Sequence, residues 1–149
     1  MNISTYYDWC NVLDDIEKFE IGHSNEELMK ICEKGTLQWV DGVAQRITVR
    51  IVELINNRIK QLNEFYNKRI SMAFNSFDTT NLLIIFRKEL IFLKRIASLS
   101  ILPEDLKSNL VSEITNCAQK SQKSLDESAK RDLSGELKRI ILSYRIDNI

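Results

Sequence analysis

One pair of residues in this sequence has the spacing of metal ligands. Glu20 and His23 form the E-x-x-H pattern that carboxylate-bridged di-iron bundles use. Such a site needs a second pair from another helix, and His23 is the only histidine of the chain. Because Gly22 also ends the helix between the two residues, we expect a solvated loop histidine beside an acidic surface. We therefore predict no metal ligand.

Three cysteines, Cys10, Cys32 and Cys117, are candidates for nucleophilic chemistry. A catalytic thiol would need His23 beside it and an orienting group behind that. Each cysteine instead lies on or next to an apolar helical stripe, which is typical of a small buried thiol. The sequence also lacks glycine-rich phosphate loops, zinc-protease motifs and a nucleophile elbow. We predict no catalytic residue, no cofactor and no enzymatic activity.

A stripe of basic residues is the strongest candidate for binding a partner. On a helical wheel, its cations fall on one face together with an isoleucine and a serine. The candidate partner-binding residues are Arg87, Lys88, Ile91, Lys94, Arg95 and Ser98. Isoleucine rimmed by Arg and Lys is typical of a protein interface. A phosphate backbone is the alternative partner, and an internal contact with the acidic N-terminal residues is a third interpretation.

Three charged residues point inward when the helices are drawn as wheels. Arg58 and Arg69 fall within the apolar stripe of one helix, and Glu89 falls within that of the next. An antiparallel hairpin turning near Thr79 places Arg69 opposite Glu89, so we predict that these two form a buried ion pair. Arg58 would then lie opposite Ser100 and find a carboxylate from the acidic head or reach solvent. A polar pocket for an anionic ligand is the sharper alternative.

The elements that carry these residues are helices. From Val43 to Ser134 the chain has no glycine and one proline, Pro103. A backbone with so few turn-forming residues favours long α-helices. We predict an all-α fold, an antiparallel bundle of five or six helices in one domain, residues 1–149.

The domain divides by charge into three parts. Residues 1–36 hold eight acids and three bases, net −5, and form an acidic head of two helices. Residues 37–101 hold five acids and ten bases, net +5, and form a basic hairpin of helices at about 37–76 and 80–100. Residues 103–149 form the C-terminal helices. The opposite charges make mutual contact between head and hairpin plausible on electrostatic grounds.

Local signals set the helix boundaries in the first two parts. Ser4 is a candidate cap for a helix at 5–20, and Ser24 has capping-box spacing to Glu27 for a short helix ending at Gly35. Thr36 is a candidate cap for the first hairpin helix. The polar run Asp78–Asn81 favours a turn between the two hairpin helices.

The C-terminal boundaries leave two interpretations open. Pro103, followed by acids, marks the start of a helix. The apolar stripe fades at Lys120–Ser124, which favours a break there and a last helix from Leu125 to Tyr144 that is strained or broken at Gly135. One helix from Pro103 to Ser134, followed by a short terminal helix, is the alternative.

By elimination, the best-supported function is recognition of another protein. The most apolar window, Leu82–Leu102, contains five charged residues, so we predict no membrane span. Without a signal-peptide pattern, a cytoplasmic adaptor, inhibitor, immunity or regulatory protein is expected. Nucleic-acid binding is the alternative. The Ile-, Asn- and Lys-rich composition is typical of microbial or viral genomes, and a helix of about 60 Å favours self-association.

Overall fold

A computed structural model describes residues 3–37, 43–70, 76–131, 135–147 and 149 of the chain. Within these residues the protein is an all-α bundle of six helices without a strand. The helices are α1 (Tyr6–Glu17), α2 (Glu26–Lys34), α3 (Val43–Ile70), α4 (Ser76–Ala97), α5 (Glu104–Ala129) and α6 (Glu136–Ser143). The predicted fold class is therefore confirmed.

The caps of the two head helices lie one residue later than the predicted Ser4 and Ser24. The Thr5 hydroxyl accepts the Asp8 N–H, and the Asn25 side chain accepts the Leu28 N–H. Both caps satisfy an N–H that has no partner within its own helix. Thr36 does not cap a helix, since Leu37 after it is not helical and α3 begins at Val43. Its carbonyl accepts the Trp9 indole N–H at 2.8 Å, and its own N–H donates to the Ile3 carbonyl.

The hairpin of α3 and α4 turns earlier than the sequence predicts. α3 ends at Ile70 and α4 begins at Ser76, so the predicted turn residues Asp78–Asn81 belong to the first turns of α4. An acid such as Asp78 is favourable there because the first turn carries the positive end of the helix dipole. The rings of Tyr66 and Phe86 meet edge-on between the helices, with centroids 5.5 Å apart.

α5 continues through the segment where a break was predicted. Its buried face includes Ser121 and Gln122, which keep the helical spacing although neither is apolar. The Gln122 side chain accepts the Ile146 N–H and donates to Asp126, both at 3.0 Å. The break at Lys120–Ser124 is therefore wrong, because a satisfied amide can occupy a core position. The alternative of one long helix and a short terminal one is close to the structure.

The core runs between α3, α4 and the helices packed around them. Trp9, Leu54, Phe86 and Ile114 are among its fully buried side chains. Gly35 allows α2 to approach α1 closely, since a Cβ there would lie 2.6 Å from the Trp9 ring. The end of α2 therefore lies directly against the buried Trp9 of α1, and the two head helices pack together.

Candidate interaction surface

The basic stripe lies on the outward side of α4, where much of it contacts other parts of the chain. Arg87 donates to the Arg145 carbonyl at 3.0 Å, and Lys94 donates to an Ile149 oxygen at 3.1 Å. Both side chains are partly buried by these contacts. The last residues of the chain therefore cover part of the predicted binding surface.

Arg95 is held by α2. Its guanidinium donates to both carboxylate oxygens of Glu26, at 2.6 and 3.0 Å, and also to Glu33. These hydrogen bonds lower the pKa of the Glu26 carboxyl and raise the pKa of Arg95. The capped start of α2 places Glu26 in its first turn, and Glu33 follows two turns later on the same face.

A second contact joins the head to the hairpin at α1. Arg50 on α3 donates to Asp14 at 2.9 Å and to Glu17. The hydrogen bonds from Asn57 and Arg50 lower the pKa of Glu17. Acidic head and basic hairpin thus contact each other at two places, as the internal-contact interpretation of their charges predicts.

Three residues of the stripe remain exposed, namely Lys88, Ile91 and Ser98, and we call them the α4 face. Ile91 keeps 41% of its surface accessible. Two grooves of about 440 and 450 Å³ adjoin it, and Ile91 and Arg95 line both. An apolar side chain between two grooves with charged rims resembles the centre of a protein interface.

The predicted ion pair forms with a different arginine. Glu89 binds Arg58, through Nε at 2.5 Å and Nη2 at 2.9 Å, and both side chains are fully buried. Arg69 is exposed and lies over the Phe65 ring. The prediction of an Arg69–Glu89 pair is wrong because the turn was placed near Thr79, several residues too late in the chain.

The buried pair also binds the loop that follows α1. Arg58 donates to the carbonyls of Ile16, Phe19 and Glu20 at 3.2, 2.9 and 3.4 Å. Its guanidinium also lies 5.4 Å from the centre of the Phe92 ring. Ile16 lies in the last turn of α1, and Phe19 and Glu20 follow its end, so the guanidinium lies near the negative end of the helix dipole, where a cation is favourable. The prediction that Arg58 finds a carboxylate of the acidic head is wrong, since it binds backbone carbonyls there.

Gly22 completes this arrangement from the other side. Its N–H donates to Glu89 Oε2 at 2.9 Å, and its φ of +81° is a conformation that glycine favours. A Cβ at this position would lie 2.5 Å from the Ile85 Cγ2. The Arg58–Glu89 pair therefore links α3, α4 and the loop after α1. Its hydrogen bonds all go to groups of the protein, which is the geometry of a structural link.

The remaining candidates for chemistry are the Glu20–His23 pair and the cysteines. His23 and Glu20 are exposed, with Nε2 and Oε2 3.7 Å apart. No group of three or more metal-ligating side chains occurs within the described residues. Burial raises the pKa of the Cys32 thiol to about 11 and also raises that of Cys117, which keeps both thiols protonated and weakly nucleophilic at neutral pH.

Aromatic residues, a type enriched at protein interfaces, divide here between core and surface. Trp9 is fully buried, whereas Tyr6 and Tyr7 are exposed at 41% and 73%. Trp39 lies outside the described residues. Sequence reasoning missed the contacts of the C-terminal residues with α4, for which Gln122 on a helical stripe was the one available signal.

In comparisons with known proteins, no family model, curated protein or solved structure matches the chain. Among the described helices, none is both long and apolar enough to cross a membrane. The geometry of the surface is therefore what supports a function.

Proposed function

We propose that this protein is a non-enzymatic protein–protein interaction module, a small cytoplasmic adaptor, inhibitor, immunity or regulatory protein. It binds its partner through the α4 face. The observation that carries this proposal is Ile91, an exposed isoleucine between two grooves. Apolar centres with charged rims are the usual anatomy of protein interfaces.

The helices around this surface support recognition by shape. α4 is fixed from below by the buried Arg58–Glu89 pair and from the sides by α2 and the C-terminal residues. A rigid helix presents its side chains with little loss of conformational entropy on binding. The α4 face is therefore suited to a partner that packs against Ile91 and pairs with Lys88.

The charge distribution favours a protein over a nucleic acid. Arg87, Lys94 and Arg95 already donate to carbonyls or carboxylates of the chain, which leaves Lys88 as the exposed cation of the stripe that has no partner among the described residues. A phosphate track needs several free cations in a row. The carboxylates of Glu26 and Glu33 beside Arg95 would also repel phosphates.

Affinity capture from the native cell tests this proposal with two baits that differ only at the α4 face. The wild-type protein is compared with a Lys88→Glu/Ile91→Gln variant, with and without nuclease. Both residues are exposed, so the fold is retained. We expect one protein partner that the wild type recovers and the variant loses by at least about tenfold.

Val49→Gln is the matched control, since Val49 is an exposed apolar residue on α3 at 51%. It should leave capture of the partner unchanged. Recovery of nucleic acid alone, or a partner lost after nuclease treatment, would contradict the proposal and support the alternative. Equal recovery by all three baits would show that the α4 face is not the binding surface.

A further inference from the structure

A groove of about 600 Å³ lies between the end of α5 and α6, away from the residues of the α4 face. Its lining includes Ala129 and Ile141, which are buried, and Leu142, which keeps 59% of its surface exposed. Among the apolar residues that line this groove, Leu142 is the most exposed. The groove therefore offers an apolar site that the described residues do not fill.

Charged residues surround this apolar surface unevenly. Lys130 and Lys138 line the groove, are exposed, and make no ion pair within the described part of the chain. Arg145 also lines it, but it donates to Asp147 at 3.0 and 2.9 Å and lies 3.7 Å from Asp126. Among the described residues, no carboxylate forms an ion pair with either lysine.

From this arrangement we propose that the α5/α6 groove binds an acidic segment of a partner protein that carries a large apolar side chain. The apolar side chain packs against Leu142 and Ile141, and carboxylates on either side pair with Lys130 and Lys138. Charge complementarity selects the acidic character, and the exposed leucine selects the apolar residue. The site is separate from the α4 face and does not depend on it.

The shape of the groove favours a peptide over a membrane. The site is concave with a buried apolar floor, whereas a membrane surface would need a convex apolar face. A protein side chain can enter such a groove and bring its own carboxylates.

Phage selection on the full-length protein tests the proposal. Random peptides of about 12 residues, long enough to span such a groove, are first selected for binding to the wild type. Peptides that also bind a Lys130→Glu/Lys138→Glu variant are then removed. We expect the surviving peptides to be enriched in Asp and Glu next to Leu, Ile or Phe. Their affinity, measured by fluorescence anisotropy, should fall at least about tenfold for Lys130→Glu/Lys138→Glu and for Leu142→Ser.

The matched control is the Lys88→Glu/Ile91→Gln variant, which should bind the selected peptides as the wild type does. All these positions are exposed, so circular dichroism should show unchanged melting temperatures. The proposal is overturned if no peptide distinguishes the two selection targets, or if the surviving peptides lack acidic residues. It is also overturned if single-stranded RNA or phosphatidylserine vesicles bind the wild type more tightly than the peptides and lose binding in the lysine variant.

Discussion

Two of the arginine–carboxylate sites that hold the head against the hairpin differ in burial. Arg58 and Glu89 are completely enclosed, with the loop after α1 bonded to both. Arg95 binds Glu26 and Glu33 at the surface, where all three side chains remain 30–58% exposed. The same chemical groups therefore hold the head at both sites, but only the Arg58–Glu89 site excludes water.

The difference in burial determines what each site can do. A buried charge that loses its partner keeps its desolvation cost, so the Arg58–Glu89 pair fixes the register of three elements. An exposed pair is close in free energy to its solvated form, and its carboxylates can be exchanged for others. We infer that the first site maintains the fold, whereas the second sets how firmly α2 rests on α4.

The largest effect should come from Glu89→Gln. The variant keeps the size of the side chain but leaves Arg58 without a negative partner in the core, so we expect the free energy of unfolding to fall by about 3–5 kcal/mol. Urea denaturation measures the loss. The matched control is Arg69→Gln, which alters an exposed arginine and should cost less than about 0.5 kcal/mol. Equal losses in both variants would show that Arg58 and Glu89 do not form the buried link.

Gly22→Ala should have the next largest effect. The variant places a Cβ 2.5 Å from Ile85 Cγ2 at a residue with positive φ. Gly135→Ala is a matched control, because Gly135 has a similar φ of +75° and nothing within 4 Å of its Cβ position. In both variants the free energy of unfolding should fall by about 1–2 kcal/mol, because alanine is strained at a positive φ. Gly22→Ala should lose about 1–3 kcal/mol more from overpacking. Thermal melts that place the two variants together would contradict the close contact with Ile85.

The fold could be predicted well from the sequence, because helix signals are local. The absence of glycine, the start at Pro103 and the end at Gly35 each act within one or two turns, and the structure confirms all three. Two of the errors came from treating polar residues as helix breakers. Asp78–Asn81 start a helix where a turn was predicted, and Gln122 occupies the core because distant groups satisfy its amide.

The candidate site could be predicted only in part, because its contacts are long-range. The wheel correctly placed Glu89 inward and Arg87, Lys94 and Arg95 on one face, but a turn misplaced by a few residues assigned the wrong arginine to Glu89. Coverage of the stripe by Arg145 and Ile149 depends on where the last helix leads the chain. No spacing within α4 carries that information.

The smallest effect should come from Arg95→Gln, which removes the ion pairs to Glu26 and Glu33 and leaves the core intact. We expect α2 to open more often while the urea midpoint hardly changes. Cys32 reports this opening, because its thiol is buried in the closed helix and burial raises its pKa to about 11. N-ethylmaleimide labelling of Cys32, followed by peptide mass spectrometry, should be a few-fold faster in the variant.

Acid should open α2 in the same way, with a sign set by Glu26. The pKa of Glu26 lies below the usual 4.5 because Arg95 donates hydrogen bonds to it. The ionised carboxylate therefore stabilises the closed position of α2 above pH 4.5, and this stabilisation is lost as the pH falls through the lowered pKa. Hydrogen exchange of the α2 amides should therefore accelerate relative to those of α3 in that range, and a Glu26→Gln variant should lack this step.

The labelling experiment on Arg95→Gln also has an outcome that would contradict a local opening of α2. If Cys117 labelling rises as much as that of Cys32, the opening is global, and the surface pairs are as important to the whole fold as the buried one.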